Sequence, residues 1–191
     1  CQWSFGKMGQ RSARAVVTIP RMLRELHAEL GIPANYGDGG RRPAFDEAVE
    51  LVEVGANPDG RMQRLTPDTA AAWRAMQRAA DADSVTLLIV SGFRSVEYQA
   101  GLIRKKLESG QTLDEILLVN AAPGHSEHHS GRAIDIGTPG STALVEEFEH
   151  TAAFEWLQQH AERFNFAMSY PRDNREGFIY EPWHWARSAG G

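Results

Sequence analysis

The chain has one cysteine in 191 residues, and it stands first. A single thiol excludes a disulfide framework and any metal centre built from cysteine pairs. Long apolar runs are missing too. The longest, Val85–Val90, includes Thr86 and falls far short of the ~20 residues a membrane-spanning helix needs. No basic block stands out. Lys and Arg number 20 against 25 Asp and Glu, for a net charge of −5. That balance weighs against a nucleic-acid partner and against adsorption to an anionic membrane surface through charge. There is no internal repeat and no low-complexity segment. A His-Glu-x-x-His helix motif and a serine in a nucleophile elbow are both absent. No signal-peptide pattern is visible, but the chain starts at Cys1 rather than Met, so that absence excludes nothing.

With 42% apolar and 24% charged residues, the composition is that of an ordinary globular domain with a proper core. Residues 1–12 are polar and aperiodic and read as a loose arm, leaving 13–191 as a single domain. Helical spacing of Val17, Ile19, Met22, Leu23, Leu26 and Leu30 predicts a helix within Val16–Leu30, stopped by Gly31 and Pro33. Phe45–Val54 fits a short strand or a helical turn equally well. Thr66-Pro67-Asp68 opens the clearest helix, with a capping residue, a proline at the first position and an acid at the positive dipole end; Asp81–Asp83 closes it. Val85–Val90 reads as a strand buried on both faces. Ser95 caps a helix over Val96–Ser109, and Thr112–Val119 forms a shorter one. Ala133–Ile136 is a short strand and Ser141–Phe164 a helical region in two pieces. Phe166–Tyr170 and Phe178–Trp185 are expected as strands joined by a polar loop. The pattern predicts an α+β fold with a small, mostly antiparallel sheet and flanking helices.

The chemistry concentrates in Ser126-Glu127-His128-His129-Ser130-Gly131-Arg132-Ala133-Ile134-Asp135. His128 and Asp135 flank a glycine that allows a tight turn. If Ala133–Ile136 is a strand, Ala133 and Asp135 share one face while Ile134 and Ile136 face the core. A carboxylate there needs a partner for its charge, and imidazole nitrogen with carboxylate oxygen suits Zn²⁺. His125 and His129 compete as ligands, and an Asp at a strand end often only caps a turn. Adjacent His128 and His129 point different ways, so they do not share one ion. A second stretch, Glu181-Pro182-Trp183-His184, adds a carboxylate three residues before a histidine. In a regular strand these two would face opposite sides. Pro182 removes a ladder donor, so the chain can bend and let them converge.

Ser126-x-His128-x-x-Gly131-x-Ala133-x-Asp135 followed by Glu181-x-x-His184 resembles the VanY-type D-alanyl-D-alanine carboxypeptidases. These belong to the LAS metallopeptidase group, which includes D-Ala-D-Ala dipeptidases and the Hedgehog-like zinc fold. The family pattern Ser-x-His-x-x-Gly-x-Ala-x-Asp is matched at every fixed position. Ser91-Gly92-Phe93-Arg94-Ser95 with Gln99 resembles the family's arginine-containing segment. The likeness runs from about Leu87 to Trp185; before Thr66 no motif contributes.

The resemblance implies a Hedgehog/DD-peptidase-like fold in which His128, Asp135 and His184 bind zinc. Glu181 would be the general base and acid, Arg94 would stabilise the oxyanion, and Ser126 and Gln99 would lie near the substrate. Three protein ligands leave a fourth position for water, as catalytic zinc sites do. The implied activity is removal of the C-terminal D-alanine from peptidoglycan stem peptides. L,D-carboxypeptidase, endopeptidase and dipeptidase activities share the same metal motif. A non-catalytic zinc-stabilised binding domain would need neither Glu181 nor Arg94. The implied location is the bacterial cell envelope, outside the cytoplasm. Cys1 has two readings, an arbitrary boundary in a longer chain or the lipid-bearing first residue of a mature lipoprotein.

Overall fold

A computed structural model describes residues 20–188. The arm expected over 1–12, Cys1 with it, and residues 16–19 of the expected first helix lie outside that range. The elements run α1 Arg21–Glu29, β1 Val52–Ala56, β2 Met62–Leu65, α2 Pro67–Ala82, β3 Leu88–Ser91, α3 Val96–Glu108, α4 Leu113–Val119, β4 Ala133–Gly137, α5 Ala152–His160, β5 Phe166–Met168 and β6 His184–Arg187. Single 3-10 turns lie at Glu127–Ser130, Glu146–His150 and Ala161–Phe164. Helices pack around two antiparallel sheets, the hairpin β1–β2 and a four-stranded sheet ordered β3-β4-β6-β5. The α+β expectation is met.

The helix punctuation acts largely as the sequence suggests. Ser95 Oγ accepts from the Tyr98 amide at the start of α3, and Thr112 and Glu115 form a reciprocal capping box on α4. Thr66 is the exception. Its hydroxyl bonds Asp68 and Thr69 side chains rather than an amide. On α2, Thr69, Ala70, Trp73, Met76 and Ala80 follow helical spacing and are buried. Ala70, Trp73, Met76 and Ala80 join Ile134, Ile136, Phe166 and Trp185 of the sheet, and Phe148, in the main core. A smaller core joins Leu30 and Ile32 to Ile103 on α3 and Ile116 on α4.

Several expectations are corrected. The face of α1 that packs inward carries Leu23, Leu26, His27 and Leu30, while Met22 is 80% exposed. The ambiguous stretch 45–54 is irregular until β1 begins at Val52. β3 is an edge strand, so Leu88 and Val90 are only half-buried, and burial on both faces does not hold. Residues 141–145 are not helical. β6 begins at His184 rather than Phe178, because 178–183 turns: the His184 amide donates back to Glu181 O and the Glu181 amide to Tyr170 O. Pro182, with no amide to donate, sits inside that turn.

Candidate metal centre

The sheet register builds the site. Asp135 on β4 stands opposite His184 on β6, and opposite Ser91 on β3. Directly opposed residues share a face, so the Asp135 and His184 side chains meet. The intervening pair, Ile134 opposite Trp185, points to the main core. His128 comes from the 3-10 turn over Glu127–Ser130, which ends at Gly131 with φ +64. A side chain at Gly131 would meet Leu51, Ala48 and Thr66 atoms at 3.0 to 3.2 Å. Left-handed backbone and a crowded neighbourhood together require glycine there.

His128, Asp135 and His184 each offer one ligand atom, and these lie within 4.8 Å of one another. All three residues are buried. Each histidine has its other nitrogen engaged. His128 Nδ1 donates to Gly92 O at 2.7 Å, and His184 Nε2 donates to Glu127 Oε2 at 2.9 Å. That assignment leaves His128 Nε2 and His184 Nδ1 as the inward atoms. His128 Nε2 lies 3.2 Å from Asp135 Oδ2 yet has no hydrogen bond of acceptable geometry, and it is fully buried. A buried imidazole nitrogen left over beside a carboxylate fits a cation between them. The donor set of two imidazoles and one carboxylate fits zinc.

The support reaches further. Gly92, whose carbonyl holds His128, has its amide bonded to Gln63 Oε1 at 3.0 Å. A Cβ on Gly92 would stand 2.7 Å from Arg64 O, so this approach of β2 also needs glycine. The segment before β1 crosses the 3-10 turn through Phe45 N to Gly124 O and Ala48 N to His129 O, each 2.8 Å. His129 and His125, the competing candidates, are buried. His129 bonds the Arg94 carbonyl and the Gly124 amide; His125 bonds Arg42 O.

Glu181 brings its carboxylate to 3.9 Å from His184 Nδ1. Burial pushes its carboxyl up to about 7, with Asp135 and Glu127 adding to the rise and His184 and Arg94 opposing it. Arg94 lies 3.4 Å from Asp135 Oδ2 and 3.5 Å from Gln99 Oε1. It does not pair with Glu97, which bonds Arg104. Gln99 is buried and donates to Ala121 O at 2.8 Å. Ser126, Gln99, Arg94, Glu181 and His184 line one small cleft, with Tyr170, Phe178 and Asn120 as further wall. The structure therefore brings every sequence-assigned site residue together. Behind the wall, Lys106 Nζ donates to Asn120 Oδ1 at 2.5 Å. Burial and the Arg94 guanidinium lower the Lys106 pKa, and Glu181 partly offsets them.

Within the cluster the charges are distributed unevenly. Burial opposes a charge on His184, but its bonds to Asp135 and Glu127 win and lift its pKa to about 10. Burial and Arg94 lower His128 to about 4 despite Asp135. Burial would raise Asp135, yet His128, His184 and Arg94 hold it well below the usual carboxylate range.

Sequence reasoning missed Glu127. It occupies a variable position of the motif, yet its Oε2 accepts from both His184 and Ser169 Oγ. The available signal was indirect. A metal-binding histidine needs an acceptor for its second nitrogen, and Glu127 is the one acid inside the motif before Asp135.

The model of the family described as VanY: D-alanyl-D-alanine carboxypeptidase matches residues 62–188. A D-alanyl-D-alanine carboxypeptidase of Enterococcus faecalis is 34% identical over 151 residues, 74% of this chain and 52% of the relative. The chain thus spans about half the length of that curated relative. Among solved structures, the LdcB LD-carboxypeptidase aligns with a TM-score of 0.67 at 30% identity, covering 76% of this chain and 71% of its own. The vancomycin-resistance D,D-pentapeptidase VanY in complex with Zn(II) aligns with a TM-score of 0.59 at 29% identity, covering 74% and 80%.

Proposed function

The chain belongs to the VanY D-alanyl-D-alanine carboxypeptidase family, and on that premise we propose that it is a zinc-dependent carboxypeptidase removing the C-terminal D-alanine from peptidoglycan stem peptides. The observation that carries this reading is the buried His128–Asp135–His184 cluster with Glu181 beside it. His128, Asp135 and His184 would hold the metal, the inward His128 Nε2, His184 Nδ1 and the Asp135 carboxylate being the atoms on offer. Zinc supplies a Lewis acid that brings the pKa of water to about 7 and polarises the scissile carbonyl.

The chain's own groups do the rest. Glu181, its carboxyl lifted to about 7 by burial, is matched to accept a proton from water near neutral pH. It then delivers that proton to the amine of the departing D-alanine. The Arg94 guanidinium faces the same cleft from the loop after β3, where it steadies the charge that develops on the carbonyl oxygen. The Arg94 amide bonds His128 O at 3.2 Å and its carbonyl accepts from His129 Nδ1 at 2.6 Å, so its backbone is fixed to the metal-binding turn. Ser126 and Gln99 line the cleft where the terminal residue sits. Among the described residues no helix is long and apolar enough to cross a membrane. A peptidoglycan substrate places the enzyme outside the cytoplasm, in the cell envelope.

The likeness to an LD-carboxypeptidase favours a second reading, removal of the same terminal residue from a tetrapeptide stem. Incubation with synthetic pentapeptide and tetrapeptide stems, with and without chelator, read by mass spectrometry, separates the two. Loss of one alanine from the pentapeptide alone supports the first reading. Trimming of the tetrapeptide alone moves the assignment to the second. Chelator-resistant release from either refutes the metal.

A further inference from the structure

Beside Arg94 lies a second groove, larger than the cleft at the metal centre. Its charged lining is Arg61 and Arg64 of the β1–β2 hairpin together with Arg94, and it contains no acidic side chain. Arg94 lines both the groove and the metal cleft, so the two adjoin at that residue. The aromatic Phe93 and Tyr98 form part of the same wall.

Both exposed arginines are held against rings rather than neutralised by acids. The Arg64 guanidinium lies 5.6 Å from the Phe93 ring centroid, and Arg61 lies 5.5 Å from that of Tyr98, whose hydroxyl accepts its hydrogen bond. Glu53 stands opposite Arg64 in the hairpin ladder. Among the described residues, however, no carboxylate comes within salt-bridge distance of Arg61 or Arg64. In a chain of net charge −5 such a groove is a local positive field beside the reaction centre. The hairpin is bonded to the site: Phe93 N donates to Arg64 O at 2.8 Å and Gly92 N to Gln63 Oε1. The groove is thus held in fixed relation to His128, which rests on Gly92.

Resting on the carboxypeptidase reading, we propose that this groove receives the part of the substrate on the acyl side of the scissile bond, and that Arg61 and Arg64 bind a free carboxylate there. The small cleft takes the departing terminal residue, and the chain before it leaves past Arg94 along the hairpin. The ligand class is an acidic peptide bearing a free carboxylate upstream of the bond cut. In a stem peptide that carboxylate has two sources, the α-carboxylate of a γ-linked glutamate or the side-chain carboxylate of a dibasic diamino acid.

The test measures peptide binding by calorimetry on zinc-loaded Glu181→Gln protein, which removes the proposed proton carrier so that the peptide stays intact. Three pentapeptides are compared: both carboxylates free, the first amidated, the second amidated. The fully acidic peptide is expected to bind about fivefold tighter than one of the amidated forms, which identifies the carboxylate that docks. Adding Arg61→Gln and Arg64→Gln should remove that preference. Adding Arg78→Gln, which takes one positive charge from α2, should leave it. Equal affinities for all three peptides overturn the proposal, as does a preference that survives the double replacement or is equally lost with Arg78. Wild-type protein on the same peptides tests the activity separately. Release of D-alanine with no binding preference sinks the groove alone. No release from any peptide sinks the carboxypeptidase reading, while an arginine-dependent preference would still support the groove.

Discussion

Removing the Glu127 carboxylate should weaken zinc binding without touching a ligand. Glu127 Oε2 accepts the His184 Nε2 proton at 2.9 Å and the Ser169 hydroxyl at 2.6 Å. On its other side His184 Nδ1 faces Asp135 Oδ1 at 2.9 Å. Two carboxylates therefore compete for imidazole protons, and only the one on Nε2 leaves Nδ1 free for metal. With Glu127→Ala, the Nε2 proton loses its acceptor in a side chain that is 4% exposed, so water replaces it poorly. Leaving such a donor unpaired costs about 1–3 kcal/mol. In the neutral imidazole that zinc requires, the one remaining proton can sit on Nδ1 instead, where Asp135 accepts it and the ligand position is blocked. Both routes lower metal affinity, and about 10–100-fold is the scale for losing such a supporting partner. Glu127→Gln keeps an acceptor oxygen without the charge and should fall between. The assay is zinc competition against a chromophoric chelator at pH 7, with calorimetry in two buffers to count protons. His184, held at about 10 in the metal-free protein, is protonated at pH 7, so zinc uptake should release about one proton from it. Loss of Glu127 should reduce that release. A Glu127→Ala protein whose zinc affinity stays within twofold of wild type would refute the reasoning.

Two further outcomes concern the scaffold. Gly131→Ala should destabilise the metal-free protein by about 2–4 kcal/mol in denaturant, combining a left-handed backbone with methyl contacts at 3.0 to 3.2 Å; a loss under about 1 kcal/mol would contradict that crowding. Asp68 accepts from Arg132 and Arg187 at the start of α2. Its slight burial acts to raise its pKa, but the Thr66 hydroxyl, the Thr69 amide and these two cations prevail and bring it to about 2. Because the folded value lies below the unfolded one, the stabilisation is present above about pH 4 and lost as pH falls toward 2. Asp68→Asn should therefore cost about 1 kcal/mol at neutral pH, a modest figure because the side chain is 47% exposed. The difference should vanish near the folded pKa of about 2, and denaturation curves in which it persists there would contradict the linkage.

Much of this site could be read before the fold because its residues lie in two short stretches with fixed internal spacing. Asp135 and His184 needed only a short strand each, and Pro182 already argued against a regular strand through Glu181. Helix ends were legible where a local cap exists, as at Ser95 and Thr112. What escaped depends on partners distant in sequence. Val85–Val90 looks like a central strand from its apolar run, but its place at the sheet edge follows from β4 pairing with β6 on its other side. Glu127 shows no distinctive spacing, since its role comes from a 3-10 turn that aims it at a histidine 57 residues later. The segment from Tyr36 to Ala48 lacks periodicity altogether. It is positioned by the hydrogen bonds of Tyr36, Arg42, Phe45 and Ala48 to groups around the site.

The most direct test of the account is D-alanine release from a pentapeptide stem by Glu181→Gln protein, with zinc content measured on the same sample. One zinc per chain with the rate reduced at least ~10²-fold is the expected result, since proton transfer by a positioned side chain contributes on that scale. Full zinc with wild-type release would contradict the assignment of Glu181 as the group that moves the proton.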